Sequence, residues 1–336
     1  MKLNETLRPP SPLDPTAPAY KDWFHLNFAD PRSGTIGLLN VSLHGSPWDP
    51  RSRAMGVVLV HSPKWGWQSH VEITGYSGAN LWESGIALRD IALAIDRRRG
   101  TIHASSLGSA NRFHAHLQAE AASQSIAFEQ EMPLGPGWIS WSFLSNLRLS
   151  GEWKIREYRT LLQNAPAYHD HNWGRWHWGD DFGWEWGCFL KGMSPEQNLS
   201  MVFARTTDRA HRSRGKPFLV AEANSKRRCF LPENIEVAFV DSFDSPLHRV
   251  PGAMAALHQE MAQPWLPGGV TIHAWQGADQ LAISFVARGA AQFIAADPSE
   301  RGYSFIHEMV GEYRVSGKLR GAHLKDHGAA VFEYVM

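Results

Sequence analysis

Short apolar runs, cut at intervals of roughly eight to twelve residues by Gly, Pro, Asn and Asp, recur through almost the whole chain. In the first half they cover 34–43, 56–60, 70–74, 86–95, 101–105, 113–121, 125–131 and 138–143. In the second half they cover 199–204, 218–223, 235–240, 270–275, 281–287, 311–319 and 329–335. Residues 276–279 and 325–328 have the composition of hairpin turns. Residues 119–124 have some helical propensity, but no long stretch repeats its apolar residues at helical spacing. This pattern predicts an all-β protein of barrel or sandwich type.

The chain is long enough for two such domains, and it carries a faint internal echo. Arg148-Leu149-Ser150-Gly151-Glu152-Trp153 is answered half a chain later by Arg314-Val315-Ser316-Gly317-Lys318-Leu319. The expected division is an extended, proline-rich leader over 1–19, a first β domain over 20–165 and a second over 166–336. A basic stretch at 206–217 and a longer connection at 241–269 read as loops flanking a site.

Charge is balanced, with 33 basic and 33 acidic residues, which gives no electrostatic reason to expect a nucleic-acid partner. The two cysteines, Cys188 and Cys229, allow at most one disulfide. The N-terminus lacks an apolar run of signal-peptide length, and no run is long enough for a membrane helix. The expectation is a cytoplasmic protein without stable membrane insertion, with substrate pickup at a membrane surface left open and oligomeric state unspecified. The 15 tryptophans are the compositional anomaly. Broad indole walls suit a small hydrophobic substrate.

Tryptophans and titratable groups concentrate between Tyr168 and Phe189, in Y-H-D-H-N-W-G-R-W-H-W-G-D-D-F-G-W-E-W-G-C-F. On a strand, Tyr168, Asp170 and Asn172 face one way, and His169, His171 and Trp173 the other. An aspartate kept dry by Trp173, Trp184 and Trp186 is a candidate proton donor; the competing reading is an aspartate that ties down a turn. His169 and His171 share a face, as zinc ligands do, with His177 or Asp181 as conceivable third ligands. Alternating strand histidines more often bond to backbone, and neither cysteine ligands nor an H-E-x-x-H pattern accompanies them. No metal is expected. Glu185, between Trp184 and Trp186, faces away from both and is a candidate second carboxylate. No phosphate loop, nucleophile elbow or dinucleotide fingerprint is present, so no cofactor is expected.

The run Tyr168-His169-Asp170-His171-Asn172-Trp173-Gly174 resembles the carotenoid 1,2-hydratase family, part of a lipocalin-like group that includes tocopherol cyclases and β-barrel Diels–Alderases. The early Asp22-Trp23-Phe24-His25-Leu26 and the closing stretches Gly311–Gly317 and Phe332–Val335 are similar to that group's opening and final strands. The resemblance implies two lipocalin-like β domains with an apolar pocket at or near their junction, and cofactor-free chemistry on a carbon–carbon double bond. It implies that Asp170 donates the proton, with Tyr168 beside it and His169 and His171 within the same catalytic motif. The sequence also departs from the family. The hydratases place a His-x-Trp pair upstream, whereas here Trp138 and Trp141 stand there and no histidine lies between His116 and His169. Water activation in the hydratase manner is therefore not implied.

Three functions follow as expectations. The first is acid-initiated hydration or cyclisation of a polyene or isoprenoid-like substrate, as a lyase or isomerase. The second is a pericyclase that folds a linear polyene into reactive shape. The third is a carrier of an apolar ligand. Trp141, Trp173, Trp184, Trp186, Trp265 and Trp275 are the expected substrate wall.

Overall fold

The computed structural model describes residues 5–107, 113–155, 158–190, 192, 198–251, 265–296 and 302–336. Among them there is no α-helix. Strands dominate, with three single-turn 3-10 segments, and they form two sheets that are antiparallel apart from one short parallel pairing within the second, His248–Arg249 with Ala291–Gln292. Among the described residues, no helix is long and apolar enough to cross a membrane. Both cysteines are free, Cys188 buried and Cys229 exposed.

The chain forms two compact units, Met1–Asp180 with Ala295–Ser304 and Asp181–Ile294 with Phe305–Met336. The division therefore falls at Asp180–Asp181, not just before Tyr168. Tyr158–Arg175 is a single strand of the first unit, hydrogen-bonded to Tyr20–Asp30 on one side and Gly137–Ile155 on the other. A boundary at 165/166 would cut both ladders.

The two units share a plan. In the first sheet, the opening strand Tyr20–Asp30 lies between Thr35–His44 and the unit's last long strand, Tyr158–Arg175. In the second, Gly183–Phe189 lies between Leu199–Thr207 and the last strand, Ala322–Val335. Each sheet curls around its own apolar core. Phe24, Leu26, Val41, Leu93 and Leu144 belong to the first core, and Phe203, Phe285, Tyr313 and Phe332 to the second.

The internal echo falls on the penultimate long strand of each unit, Gly137–Ile155 and Tyr303–Leu319. Gly151 has φ of 140° and Gly317 of 147°, a region that side chains rarely adopt. A Cβ at Gly151 would run into the carbonyl oxygen of His116, and one at Gly317 into that of Gln280. The shared R-x-S-G therefore marks one backbone requirement met twice.

Two sequence expectations differ from the structure for physical reasons. The run at 138–143 is the start of a 19-residue strand. Register shifts between Leu144 and Leu147 and between Leu149 and Gly151 break its two-residue alternation, so the sequence looks interrupted. The run at 86–95 is two strands, Gly85–Ala87 and Ile91–Asp96. The leader is anchored where it is described: Glu5 is 1% exposed, Leu7 donates its N–H to the carbonyl of Glu83, and Leu7 packs on the first core. Buried partners for its side chains hold it, despite a composition suited to fraying.

Candidate active site

The Tyr158–Arg175 strand has both faces buried over Ala165–Gly174, and the two faces carry different chemistry. Residues paired across a ladder share a face. Asp170 is opposite His25 and Phe143, Tyr168 is opposite Asn27, and Asn172 is opposite Trp141. His171 is opposite Phe24 and Ser142, and His169 is opposite Leu26 and Leu144, members of the first core. The histidines therefore point into the barrel, and Asp170 points outward from it.

On the outward face, the Tyr168 hydroxyl donates to Asp170 Oδ2 at 2.8 Å and the Asn172 amide donates to Oδ1 at 2.7 Å. Asp170 is 5% exposed and Tyr168 fully buried. Aromatic rings line this face: Phe143 stacks with Tyr168 at 6.1 Å, and Trp141 meets Phe143 at 4.6 Å. A second polar chain runs alongside. His25 Nε2 lies 2.8 Å from Asn27 Oδ1, and its Nδ1 lies 3.4 Å from the Asn40 amide. Burial pushes His25 down to about 4, more than the Asn27 hydrogen bond raises it, so the ring is neutral.

Inside the barrel, His171 sits between two carboxylates. Its Nδ1 is 3.0 Å from Glu5 and its Nε2 is 2.8 Å from Asp22. Tyr20 donates its hydroxyl to Asp22 at 2.7 Å, the Arg8 N–H reaches the same oxygen at 2.8 Å, and Ser142 donates to Glu5 at 2.8 Å. Burial alone would lower the imidazole; Asp22 and Glu5 outweigh it and hold His171 at about 9, a buried imidazolium. In return, His171 keeps Glu5 below its ordinary range against the opposing effect of burial. His169 donates its Nδ1–H to the carbonyl of His25 at 2.8 Å, and burial lowers it to about 4. Its Nε2 is buried with no hydrogen-bond partner among the described residues.

The expected catalytic set is therefore split. Tyr168 and Asp170 are brought together, while His169 and His171 lie on the other side of the sheet. Of the expected tryptophan wall, Trp141 lies on the face of Asp170. Trp173 is on the inner face, ringed by His171 at 4.8 Å and by the Arg8 guanidinium at 3.9 Å, and does not desolvate Asp170. Trp184 and Trp186 belong to the second unit, where the Trp184 indole donates to Glu333. Trp265 and Trp275 are 52% and 38% exposed. Glu185 does face away from both tryptophans. It enters the second core, paired with Arg205 and 3.0 Å from His211, as a buried ion cluster. Among the described residues, no three His, Cys, Asp or Glu side chains converge as metal ligands.

Glu5, Asp22, His25, Asn27 and Asn40 were missed as site residues. One signal was readable. Tyr20-Lys21-Asp22 repeats the Tyr-x-Asp of Tyr168-His169-Asp170, and in both the tyrosine hydroxyl bonds to the aspartate two residues on.

No protein-family model and no curated protein matches the sequence. Solved structures do. An AttH protein from Nitrosomonas europaea shares 14% identity at a TM-score of 0.66, over 98% of this chain and 99% of that one. Kievitone hydratase from Nectria haematococca shares 10% at 0.61, over 98% and 93%. CghA in complex with Sch210972 shares 11% at 0.62, over 95% and 88%. At these identities the likeness establishes a fold: two lipocalin-like β domains along nearly the whole chain.

Proposed function

We propose that this protein is a cofactor-independent enzyme that adds a proton, and then water or an internal nucleophile, to a carbon–carbon double bond of an apolar substrate. The buried Tyr168–Asp170–Asn172 constellation carries the reading. An alkene is a very weak base, so its protonation needs an acid held in place and a conjugate base that is stabilised as it forms. When the Asp170 carboxyl gives its proton to the alkene carbon, both oxygens of the carboxylate left behind meet donors, Tyr168 and Asn172. Those hydrogen bonds strengthen as charge develops on the oxygens, which is where catalysis gains from them. The carbocation is stabilised by the aromatic faces of Trp141 and Phe143 on the same side of the sheet. Water or an internal hydroxyl then adds, and its released proton returns to Asp170. The fold shared with kievitone hydratase supports a hydration outcome.

The test is turnover of a panel of prenylated and polyene alkenes in heavy water, with product mass and deuterium position read together. Deuterium at a new C–H bond is expected, with turnover falling by about 10²–10⁴-fold in Asp170→Asn. A product formed equally fast by Asp170→Asn would remove the aspartate from the chemistry. A second reading draws support from the fold shared with CghA, whose structure holds Sch210972. Here the face only folds a linear polyene into reactive shape and hydrogen-bonds it. Product that forms without carbon-bound deuterium, at a rate flat with pH, would select that reading.

A further inference from the structure

The Gly137–Ile155 strand carries a β-bulge directly opposite Tyr168. Leu144 pairs with His169 and Leu147 with Ala167, so Ser145 and Asn146 together oppose one residue. Leu144 and Leu147 both enter the first core. The two residues between them are therefore turned to the other face, that of Tyr168 and Asp170. The backbone at the bulge is provided for, since Ala122 donates its N–H to the Asn146 carbonyl at 3.0 Å.

The side chains are not. Asn146 is 2% exposed and Ser145 3% exposed. The Ser145 hydroxyl and both the oxygen and nitrogen of the Asn146 amide are buried without a hydrogen-bond partner among the described residues. Buried polar atoms are nearly always paired, because an unmade hydrogen bond forfeits the whole hydration of the group. Three orphans on consecutive residues, re-aimed by a bulge beside the proposed acid, form a donor–acceptor edge waiting for a complement.

We infer that Ser145 and Asn146 anchor a polar group of the substrate, so the substrate is an apolar molecule with an end that both donates and accepts hydrogen bonds, such as an amide, and not a pure hydrocarbon polyene. Asn146 offers an N–H and a carbonyl side by side, which matches the edge of an amide. A hydrocarbon would leave all three atoms unpaired in the complex, so the site discriminates against it. The inference rests on the proposed function only in taking this face as the substrate's.

The experiment compares binding of two probes of equal length, a conjugated octadecatetraenamide and the parent octadecatetraene, followed by energy transfer from tryptophan. Wild-type protein is expected to bind the amide about tenfold more tightly than the hydrocarbon. Asn146→Leu should reduce that preference to within about twofold, by weakening the amide while leaving the hydrocarbon unchanged. Without probe, the melting temperature of Asn146→Leu should equal or exceed that of wild type, because an unpaired amide has been replaced by an apolar group of similar size. Ser145→Ala should lower amide affinity by a smaller factor. Three results would overturn the inference: no preference in the wild type, preference retained in Asn146→Leu, or a fall in the melting temperature of that variant. The last would show the amide satisfied by ordered water and serving the fold. Probe binding involves no turnover, whereas the proposed chemistry is read from deuterium incorporation, so failure of the one and failure of the other are read from different measurements.

Discussion

Two Tyr-x-Asp elements lie on neighbouring strands of the first sheet, and they have opposite surroundings. In Tyr20–Asp22, the aspartate points into the barrel and meets a protonated histidine, itself shared with Glu5. In Tyr168–Asp170, the aspartate points outward and accepts hydrogen bonds from a phenol and a carboxamide. The tyrosine hydrogen bonds are alike, at 2.7 and 2.8 Å. What differs is the face of the sheet: Asp22 is bonded to an imidazolium inside the barrel, whereas Asp170 lies outside it. A carboxylate locked against an imidazolium in a dry core is a fastening. Under the proposed function, the outward carboxyl among aromatic rings is the one that exchanges a proton with a substrate. The two elements thus share residue types and an internal hydrogen bond, and differ in the face they occupy.

Removing the cation should produce the largest contrast. His171→Leu leaves Glu5 and Asp22 buried without their shared partner and should cost about 3–5 kcal/mol in urea unfolding, whereas Asp170→Asn should stay within about 1 kcal/mol of wild type. If His171→Leu folds normally and loses only turnover, the division between fastening and chemistry is broken.

The next effect is in pH. His171 has its folded value raised to about 9 from an ordinary 6.5, so its stabilisation is full below pH 6.5 and is lost as pH rises through 9. The loss should be on the order of 3 kcal/mol. His25 and His169 act in the opposite sense. Both are lowered to about 4, so the folded state resists protonation and stability falls as pH drops from 6.5 toward 4. Unfolding measured across this range should show greatest stability near pH 6.5. A flat profile from 6.5 to 9 would mean that His171 is not held as a cation.

Glu5→Gln keeps an acceptor for His171 but removes one of its two negative charges, and should cost about 1–2 kcal/mol. The proton resonances of His171 should titrate at lower pH in this variant, and the alkaline loss of stability should move with them. Smallest and sharpest is the paired removal of the two phenol hydroxyls. Tyr168→Phe should slow turnover about tenfold, while Tyr20→Phe should cost about 1 kcal/mol of stability and leave turnover alone. Equal kinetic effects of the two substitutions would erase the distinction between the elements.

Much of this was legible in the chain itself. Period-two alternation placed Tyr168, Asp170 and Asn172 together and set the histidines opposite, and the R-x-S-G echo marked two related units. The partners of His171 were not legible, because Glu5 and Asp22 are 166 and 149 residues away and only the ladder brings them in. Trp173 looked like a neighbour of Asp170 by proximity in sequence, yet an odd spacing on a strand puts them on opposite faces. Asn146 was hidden for a related reason. A bulge shifts the alternation by one, and nothing in Leu144-Ser145-Asn146-Leu147 announces the shift.

The pairing of the opening strand with Tyr158–Arg175 also sets a timetable for synthesis. His171 leaves the ribosome 149 residues after Asp22, which is roughly 7–30 s of translation. During that interval one edge of Tyr20–Asp30 has no neighbour and two carboxylates destined for the barrel have no counterion. The nascent first unit must wait with an open seam, and anything that slows elongation before residue 175 lengthens its exposure to aggregation or to chaperones.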